Sequence, residues 1–158
     1  MKKYELTEET KVIGGKTLFR IRALRSFGDI KAGDLGGFIE NERNLSHEDN
    51  AWVSGNAKVG GKAIVGGEAW VSGEAQVSDD GLINSNNDYL CEKGLGSHNR
   101  SASFFKCKDG HIHVLCGCFD GNLDEFENKV KKEHGNSKYA KEYLGFIEVV
   151  KTHFEVRQ

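Results

Sequence analysis

The chain of 158 residues is 37% hydrophobic and 29% charged, which is typical of a soluble globular protein with one or two small domains. The sequence contains no apolar run of about 18 residues and no apolar core of a secretory signal, so we expect a cytoplasmic protein without a membrane span. The net charge of −2 conceals an acidic middle segment, with nine acidic and four basic residues between positions 31 and 85. This pattern argues against direct binding of nucleic acid.

Residues 1–34 are predicted to form an N-terminal β-hairpin. Gly14 and Gly15 supply the residues of a tight turn. On the second strand Leu18, Arg20 and Arg22 alternate with Phe19, Ile21 and Ala23. Because an open sheet edge invites aggregation, we expect this hairpin to cap the sheet that follows.

A six-residue repeat occupies the middle of the chain, from Leu35 to Ile83. In its regular part an alanine recurs every six residues, and a valine follows each alanine two positions later. Because residues i and i+2 of a strand share a face, each Ala-x-Val is predicted to be a short strand with both small side chains inward. The glycines that follow are expected at corners. The series comprises Ala51, Ala57, Ala63, Ala69 and Ala75 with Val53, Val59, Val65, Val71 and Val77.

The hexads VGGKAI, VGGEAW and VSGEAQ resemble those of the hexapeptide-repeat, left-handed β-helix family. In that family three hexads form one triangular coil, so residues eighteen apart stack. The resemblance implies a mainly β protein with an α+β C-terminus. Its parts would be the hairpin cap (1–34), a short left-handed parallel β-helix of two to three coils (35–85) and a small α+β domain (86–158).

The inward side chains of such coils form columns, and Val53 is expected to lie beside Val71. The first coil would place Leu35 with Val53, Asn41 with Val59, and His47 with Val65. Polar residues at two of these inward positions predict a distorted first coil, because an unsatisfied buried polar group costs about 1–3 kcal/mol. His47 is interpreted as a structural residue near the cap, with a catalytic base as the alternative.

The outward side chains form columns as well. Trp52 is predicted to stack on Trp70, and Ile64 on Leu82, so two of the three outer faces are apolar. Contiguous apolar patches usually mark contacts. We therefore expect these four residues to meet a second subunit of a homo-oligomer, a dimer or trimer, or the C-terminal part of the same chain. The third column, which begins at Lys58, is expected to face water.

The repeat ends near position 85, and a different unit follows. The runs SASFFKC and HIHVLC flank Asp109 and Gly110, which predicts a hairpin. Asn122 and Glu125 have the spacing of a capping box and begin a helix that ends near Gly135. A second helix carries one apolar stripe, formed by Tyr139, Tyr143, Ile147 and Val150.

The segment CKDGHIHVLCGC contains the residue types that bind tetrahedral zinc: Cys107, His111, His113, Cys116 and Cys118. Strand alternation predicts that the histidines and the cysteines point to opposite faces. We therefore interpret them as surface histidines and small buried thiols, and we expect no cofactor. A zinc site is the alternative.

Hexapeptide-repeat proteins include many acyltransferases, in which acyl-CoA lies along the coils at a subunit boundary and a histidine acts as general base. The resemblance thus implies an acyl-CoA-dependent acyltransferase as one alternative function. The coil region of this chain holds only His47, and its hexads show no inserted loop. These observations favour a non-enzymatic protein.

Two longer stretches resemble uncharacterised phage and prophage proteins. The run from RIRALRSF to SGNAKV resembles the opening of proteins built on hexapeptide coils, and GCFDGNLDEFENKV resembles a small C-terminal module. The resemblance implies a phage-encoded binding protein in the host cytoplasm that inhibits a bacterial defence system. It would block a host protein or sequester a small, nucleotide-like ligand; a structural phage component is a further alternative.

Overall fold

The computed structural model describes residues 2–96 and 100–155; the predicted domain limits at positions 1 and 158 lie outside them. The N-terminal hairpin is confirmed, since β1 (Tyr4–Ile13) pairs antiparallel with β2 (Lys16–Ala23) across a two-glycine turn. β3 (Leu35–Ile39) pairs antiparallel with β2 on its other side. The hairpin therefore leads directly into the repeat.

Six strands of two residues each form the regular repeat. Each pairs in parallel with the strand eighteen residues away, so Val53 lies beside Val71 and Val59 beside Val77, as predicted. The inward alanines and valines of these hexads are at most 2% exposed. The strands are β4 (Trp52–Val53), β5 (Lys58–Val59), β6 (Ile64–Val65), β7 (Trp70–Val71), β8 (Gln76–Val77) and β9 (Leu82–Ile83).

The fold class predicted from the repeat is wrong. Within the described residues the strands form mixed and antiparallel sheets, not a left-handed parallel β-helix of two to three coils under a separate cap. The largest sheet runs β1-β2-β3-β5-β8, with antiparallel pairing up to β3 and parallel pairing beyond it. The other repeat strands form two isolated pairs, β4-β7 and β6-β9. Because β3 pairs with β2 on one side and with β5 on the other, the hairpin is part of the sheet and not a separate cap.

The upstream register also differs from the prediction. Ile39 pairs with Val59 and Leu45 bridges to Val65, so the spacing is twenty residues where eighteen was expected. The two extra residues lie between Leu45 and Val53, in the segment that contains Asp49 with a φ of 54°. A 3-10 helix at Glu42–Asn44 lies within the preceding step from Ile39 to Leu45, which keeps the regular period. The shift buries two aliphatic side chains in place of Asn41 and His47, while Leu35, expected inside, is 56% exposed.

The C-terminal unit is a four-stranded antiparallel meander followed by two helices. The strands are β10 (Tyr89–Leu95), β11 (Arg100–Lys106), β12 (Ile112–Cys116) and β13 (Phe119–Asn122). The predicted β11–β12 hairpin is confirmed, as is the capping box of Asn122 and Glu125 that begins α1 (Leu123–His134). α2 (Lys138–His153) buries Tyr143, Ile147 and Val150 as predicted, but the prediction is wrong for Tyr139, which is 37% exposed while Ala140 is buried. Neither helix is long and apolar enough to cross a membrane.

Strand β11 joins two hydrophobic cores. Phe105 packs into the core of the hairpin and repeat, whereas its neighbour Phe104 packs into the core between the meander and the helices. Successive strand residues face opposite sides, so one strand serves both cores. Two hydrogen bonds fix the junction: Gln76 N donates to Ser103 Oγ (2.9 Å) and Lys108 N to the Asp80 carbonyl (3.0 Å).

Candidate functional site

Trp52, one of the four residues expected at contacts, is buried by its own chain. Its side chain is only 1% exposed. The Phe27 ring packs edge-on at 5.3 Å between centroids, and Tyr4 packs edge-on from the hairpin at 6.4 Å. The N-terminal segment thus covers this outer face, and Trp52 has no surface left for a second subunit.

The other three expected contact residues are half-buried. Ile64 and Leu82 pair as predicted. Trp70 is held by intrachain hydrogen bonds: its Nε1 donates to Ser54 Oγ (2.7 Å), and its carbonyl accepts from Tyr89 OH (2.8 Å). Their role in an interface between subunits stays a prediction.

His47 is integrated into the N-terminal junction. Its Nδ1 accepts a hydrogen bond from Lys3 N at 3.1 Å, and its Nε2 lies 3.1 Å from Glu42 Oε1. The ring stacks on Tyr4 with the centroids 4.1 Å apart. With both nitrogens engaged and one ring face covered, His47 has the contacts of a structural residue.

A cleft lies over the third outer column, which was expected to face water. Its floor is formed by Lys58 and Gln76, both half-buried. The tip of the hairpin, from Ile13 to Leu18, forms one wall, and Leu115 and Asp120 of the C-terminal sheet form the other. The cavity measures about 250 Å³. It therefore forms where three parts of the chain meet, an arrangement that the repeat alone does not predict.

Charged groups of both signs line this cleft. Lys58 Nζ donates to the Asn56 carbonyl at 2.8 Å, and within the described residues no carboxylate lies at ion-pair distance from it. Burial, with a smaller contribution from the charge of Lys11, lowers the pKa of Lys58. Lys16 lies 4.0 Å from Glu40, whose carboxylate also accepts from Gly61 N at 2.7 Å. Lys58 is thus a partly desolvated cation on which Glu74 acts only from beyond ion-pair distance, and no described carboxylate lies within that distance.

A histidine–carboxylate cluster borders the cleft; it comprises Asp79, Asp109, His111, His113 and Asp120. His113 Nε2 lies 2.9 Å from Asp79 Oδ2 and 2.5 Å from Asp120 Oδ1. On the other side of the ring, His113 Nδ1 lies 3.2 Å from His111 Nε2, and His111 Nδ1 lies 2.5 Å from Asp109 Oδ1. The cluster joins the last corner of the repeat to β12 and β13.

The cysteines do not lie together. Cys116 is buried in the C-terminal core as predicted, whereas the interpretation as a buried thiol is wrong for Cys118, which follows the end of β12 and is exposed. The prediction that the histidines point away from every cysteine is wrong for Cys107, whose Sγ lies within 4.8 Å of ligand atoms of His111 and His113. Cys107 continues the face of Phe105, with which it shares a core, and Phe105 pairs with His113 across the hairpin, so Cys107 lies on the side of the histidines. Its N–H donates to the His111 carbonyl (2.9 Å). Burial, chiefly, raises the pKa of its thiol to about 12.

In the part of the chain that the structure describes, two sets of side chains have the composition and proximity of a metal site: Cys107, His111 and His113, and Asp79, His113 and Asp120. The sequence contained a signal for the second set. Position 79 continues the corner series Gly55, Gly61, Gly67 and Gly73, which have φ between 60° and 67°. Asp79 has a φ of 50°, in the left-handed region that non-glycine residues seldom adopt. An aspartate at a glycine corner marks this position as special.

Comparison of the chain with protein-family models and with curated proteins found no match.

Proposed function

We propose that this protein is a binding protein that holds a small ligand in the cleft between the hairpin, the repeat and the C-terminal sheet. The observation that carries the proposal is the position of Lys58 on the floor of this cleft. Small-molecule sites are concave, with mostly apolar walls and a few converging polar groups. Ile13, Leu18 and Leu115 supply apolar surface here, and Lys58 supplies a charge.

The lining favours a ligand with an anionic group and hydrogen-bond donors. An anion next to Lys58 and Lys16 would provide the ion-pair contact that the Lys58 ammonium lacks within the described residues, beyond its hydrogen bond to the Asn56 carbonyl. The carboxylates of Asp79 and Asp120 accept hydrogen bonds, as from an amino group. The cavity of about 250 Å³ is slightly smaller than the range of roughly 300–1,000 Å³ for drug-sized sites. A mononucleotide-like molecule meets these requirements.

The finer parts of the proposal come from the sequence resemblance. These are a non-enzymatic, phage-encoded, oligomeric protein in the host cytoplasm that inhibits a bacterial defence system. Sequestering a nucleotide-like ligand is the form of inhibition that the cleft supports. The oligomeric state is checked by the mass of the protein in solution.

Isothermal titration with adenosine 5′-monophosphate, adenosine and inorganic phosphate tests the proposal. We expect the monophosphate to bind more tightly than either fragment, and Lys58→Gln to weaken its binding at least tenfold. Lys62→Gln is the matched control, because Lys62 is exposed and lies outside the cleft lining. Absence of binding by all three probes, or equal loss in both variants, contradicts the proposal.

A further inference from the structure

Hydrogen-bond donors and acceptors in the histidine–carboxylate cluster follow a fixed order. An ionised carboxylate accepts only, so the short contact between Asp109 and His111 places the proton on His111 Nδ1. In the neutral ring, His111 Nε2 then carries the lone pair and accepts from His113 Nδ1 at 3.2 Å. The proton of neutral His113 is thereby assigned to Nδ1.

This assignment leaves His113 Nε2 with a lone pair directed at two carboxylates. Asp79 Oδ2 and Asp120 Oδ1 lie 2.9 Å and 2.5 Å away, and both are acceptors as well. Three acceptors that converge on one point repel each other unless a proton or a metal ion lies between them. The arrangement is that of a metal-binding histidine, whose second ring nitrogen donates to an outer-shell partner that orients the ring.

We propose that Asp79, His113 and Asp120 bind one divalent transition-metal ion of the zinc type. One imidazole nitrogen and two carboxylate oxygens are ligands that zinc accepts at about 2.0–2.2 Å. The two aspartate side chains are 49% and 58% exposed, so small rotations can open the space that the ion needs. Three protein ligands leave a coordination position for water, as in catalytic zinc sites.

The ligands come from different parts of the chain. Asp79 belongs to the last corner of the repeat, His113 to β12 and Asp120 to β13. A bound ion would therefore fasten the C-terminal sheet to the repeat at the edge of the cleft. This inference does not depend on ligand binding in the cleft.

Titration of the full-length, metal-free protein with Co²⁺, followed by absorption spectroscopy, tests the site. We expect one Co²⁺ per chain, with d–d bands of an oxygen and nitrogen ligand set and no thiolate-to-cobalt charge-transfer band. His113→Gln and Asp120→Asn are expected to abolish stoichiometric binding. Asp80→Asn, the same charge change at a neighbouring exposed residue outside the cluster, should bind as the wild type does.

Three results would overturn the proposal. The first is no Co²⁺ binding, which would leave a protonated His113 between the carboxylates. The others are binding that survives Asp120→Asn and the appearance of a thiolate band. The thiolate band would assign the metal to Cys107, His111 and His113. Circular dichroism of each variant checks the fold.

A second variant addresses the outer-shell role of His111. His111→Gln is expected to weaken Co²⁺ binding by about 10–100-fold while one-to-one stoichiometry is retained. Asp79→Asn is expected to abolish binding, and asparagine tolerates the left-handed backbone at this corner. Unchanged affinity in both variants contradicts the assignment.

Discussion

The repeat and the C-terminal unit fill their hydrophobic cores with different kinds of side chain. The interior of the repeat consists mainly of small aliphatic residues at fixed sequence spacing, whereas the C-terminal core contains Phe104, Phe126 and Tyr143 in edge-on or tilted contacts. Small identical units pack through backbone register, so their spacing in the sequence predicts their neighbours. Large aromatic residues pack through shape, and their partners depend on the whole unit. The cleft and the histidine–carboxylate cluster lie where the two units meet.

Of the substitutions that test the separation into two cores, Phe105→Ala is expected to have the largest effect on stability. Removing a fully buried phenylalanine is expected to lower the free energy of unfolding by about 3–5 kcal/mol. Because Phe105 belongs to the repeat core, hydrogen exchange should accelerate mainly in residues 51–83. Phe104→Ala removes the same group from the other face and should accelerate exchange mainly in α1 and α2. Identical exchange patterns in the two variants contradict the assignment of the two faces.

The two units also differ in how they hold a lysine. In the C-terminal unit Lys151 forms an ion pair with Glu127, whereas Lys3, at the N-terminal end of the repeat region, is bound by backbone carbonyls. Its side chain is fully buried, and Nζ donates to the Glu48 and Ala51 carbonyls. Burial, chiefly, lowers the pKa of Lys3 from 10.5 to about 8. Between these values the unfolded chain binds the proton more strongly, so deprotonation stabilises the folded state.

Stability of the wild type should therefore rise relative to Lys3→Met as the pH increases from 8 to 10.5, by about 3 kcal/mol. Urea denaturation of both proteins at several pH values measures this difference. Groups other than Lys3 titrate in both proteins, so their contributions cancel in the difference. A constant difference across this range contradicts a buried, desolvated ammonium.

Two corner glycines sharpen the comparison within the repeat. Both Gly67 and Gly73 adopt positive φ, so alanine at either position incurs left-handed strain of about 1–2 kcal/mol. A Cβ at Gly67 would lie 2.6 Å from the Asn84 carbonyl oxygen, whereas a Cβ at Gly73 meets nothing within 4 Å. Gly67→Ala should therefore lower the free energy of unfolding by about 1–3 kcal/mol more than Gly73→Ala does. Equal thermal midpoints of the two variants would contradict the close packing of Gly67 against the Asn84 carbonyl.

The smallest expected effect concerns the start of α1. Asn122 Oδ1 accepts from Glu125 N at 2.8 Å, and the Glu125 carboxylate accepts from Asn122 N at 3.0 Å. Asn122→Ala removes this cap and should lower the free energy of unfolding by about 1 kcal/mol. Because α1 packs in the C-terminal core, exchange in residues 51–83 should remain unchanged. Thermal denaturation and hydrogen exchange measure the two parts of this prediction.

The parts of the fold that could be predicted from the sequence are those determined by local pattern. Alternation in Ala-x-Val turns Val53 and Val71 inward, and the capping box begins α1 at the expected residue. That these two valines lie side by side was expected from the resemblance to hexapeptide repeats. The upstream register was not predictable from the period, because the segment between Leu45 and Val53 is two residues longer than a regular hexad step. The sequence reading also missed β10 and β13, which carry many polar residues and glycines.

The candidate site was less accessible to sequence reasoning because its residues are distant in the chain. Lys58 was expected to face water, since the hairpin tip and Leu115 that enclose it could not be placed from local pattern. Asp79 and Asp120 meet at His113 only because β11 seats the meander against the end of the repeat. The aspartate at the glycine corner was the one local sign of this meeting point.

Amide chemical-shift mapping by NMR is the most direct test of a ligand site between the two units. On addition of adenosine 5′-monophosphate, we predict the largest shifts for Gly60, Gly61 and Gln76 on the floor of the cleft, and smaller ones at Leu115 and Asp120. Shifts concentrated instead in the groove of Ser72, Tyr89 and Lys93, or no shifts at all, would contradict the account.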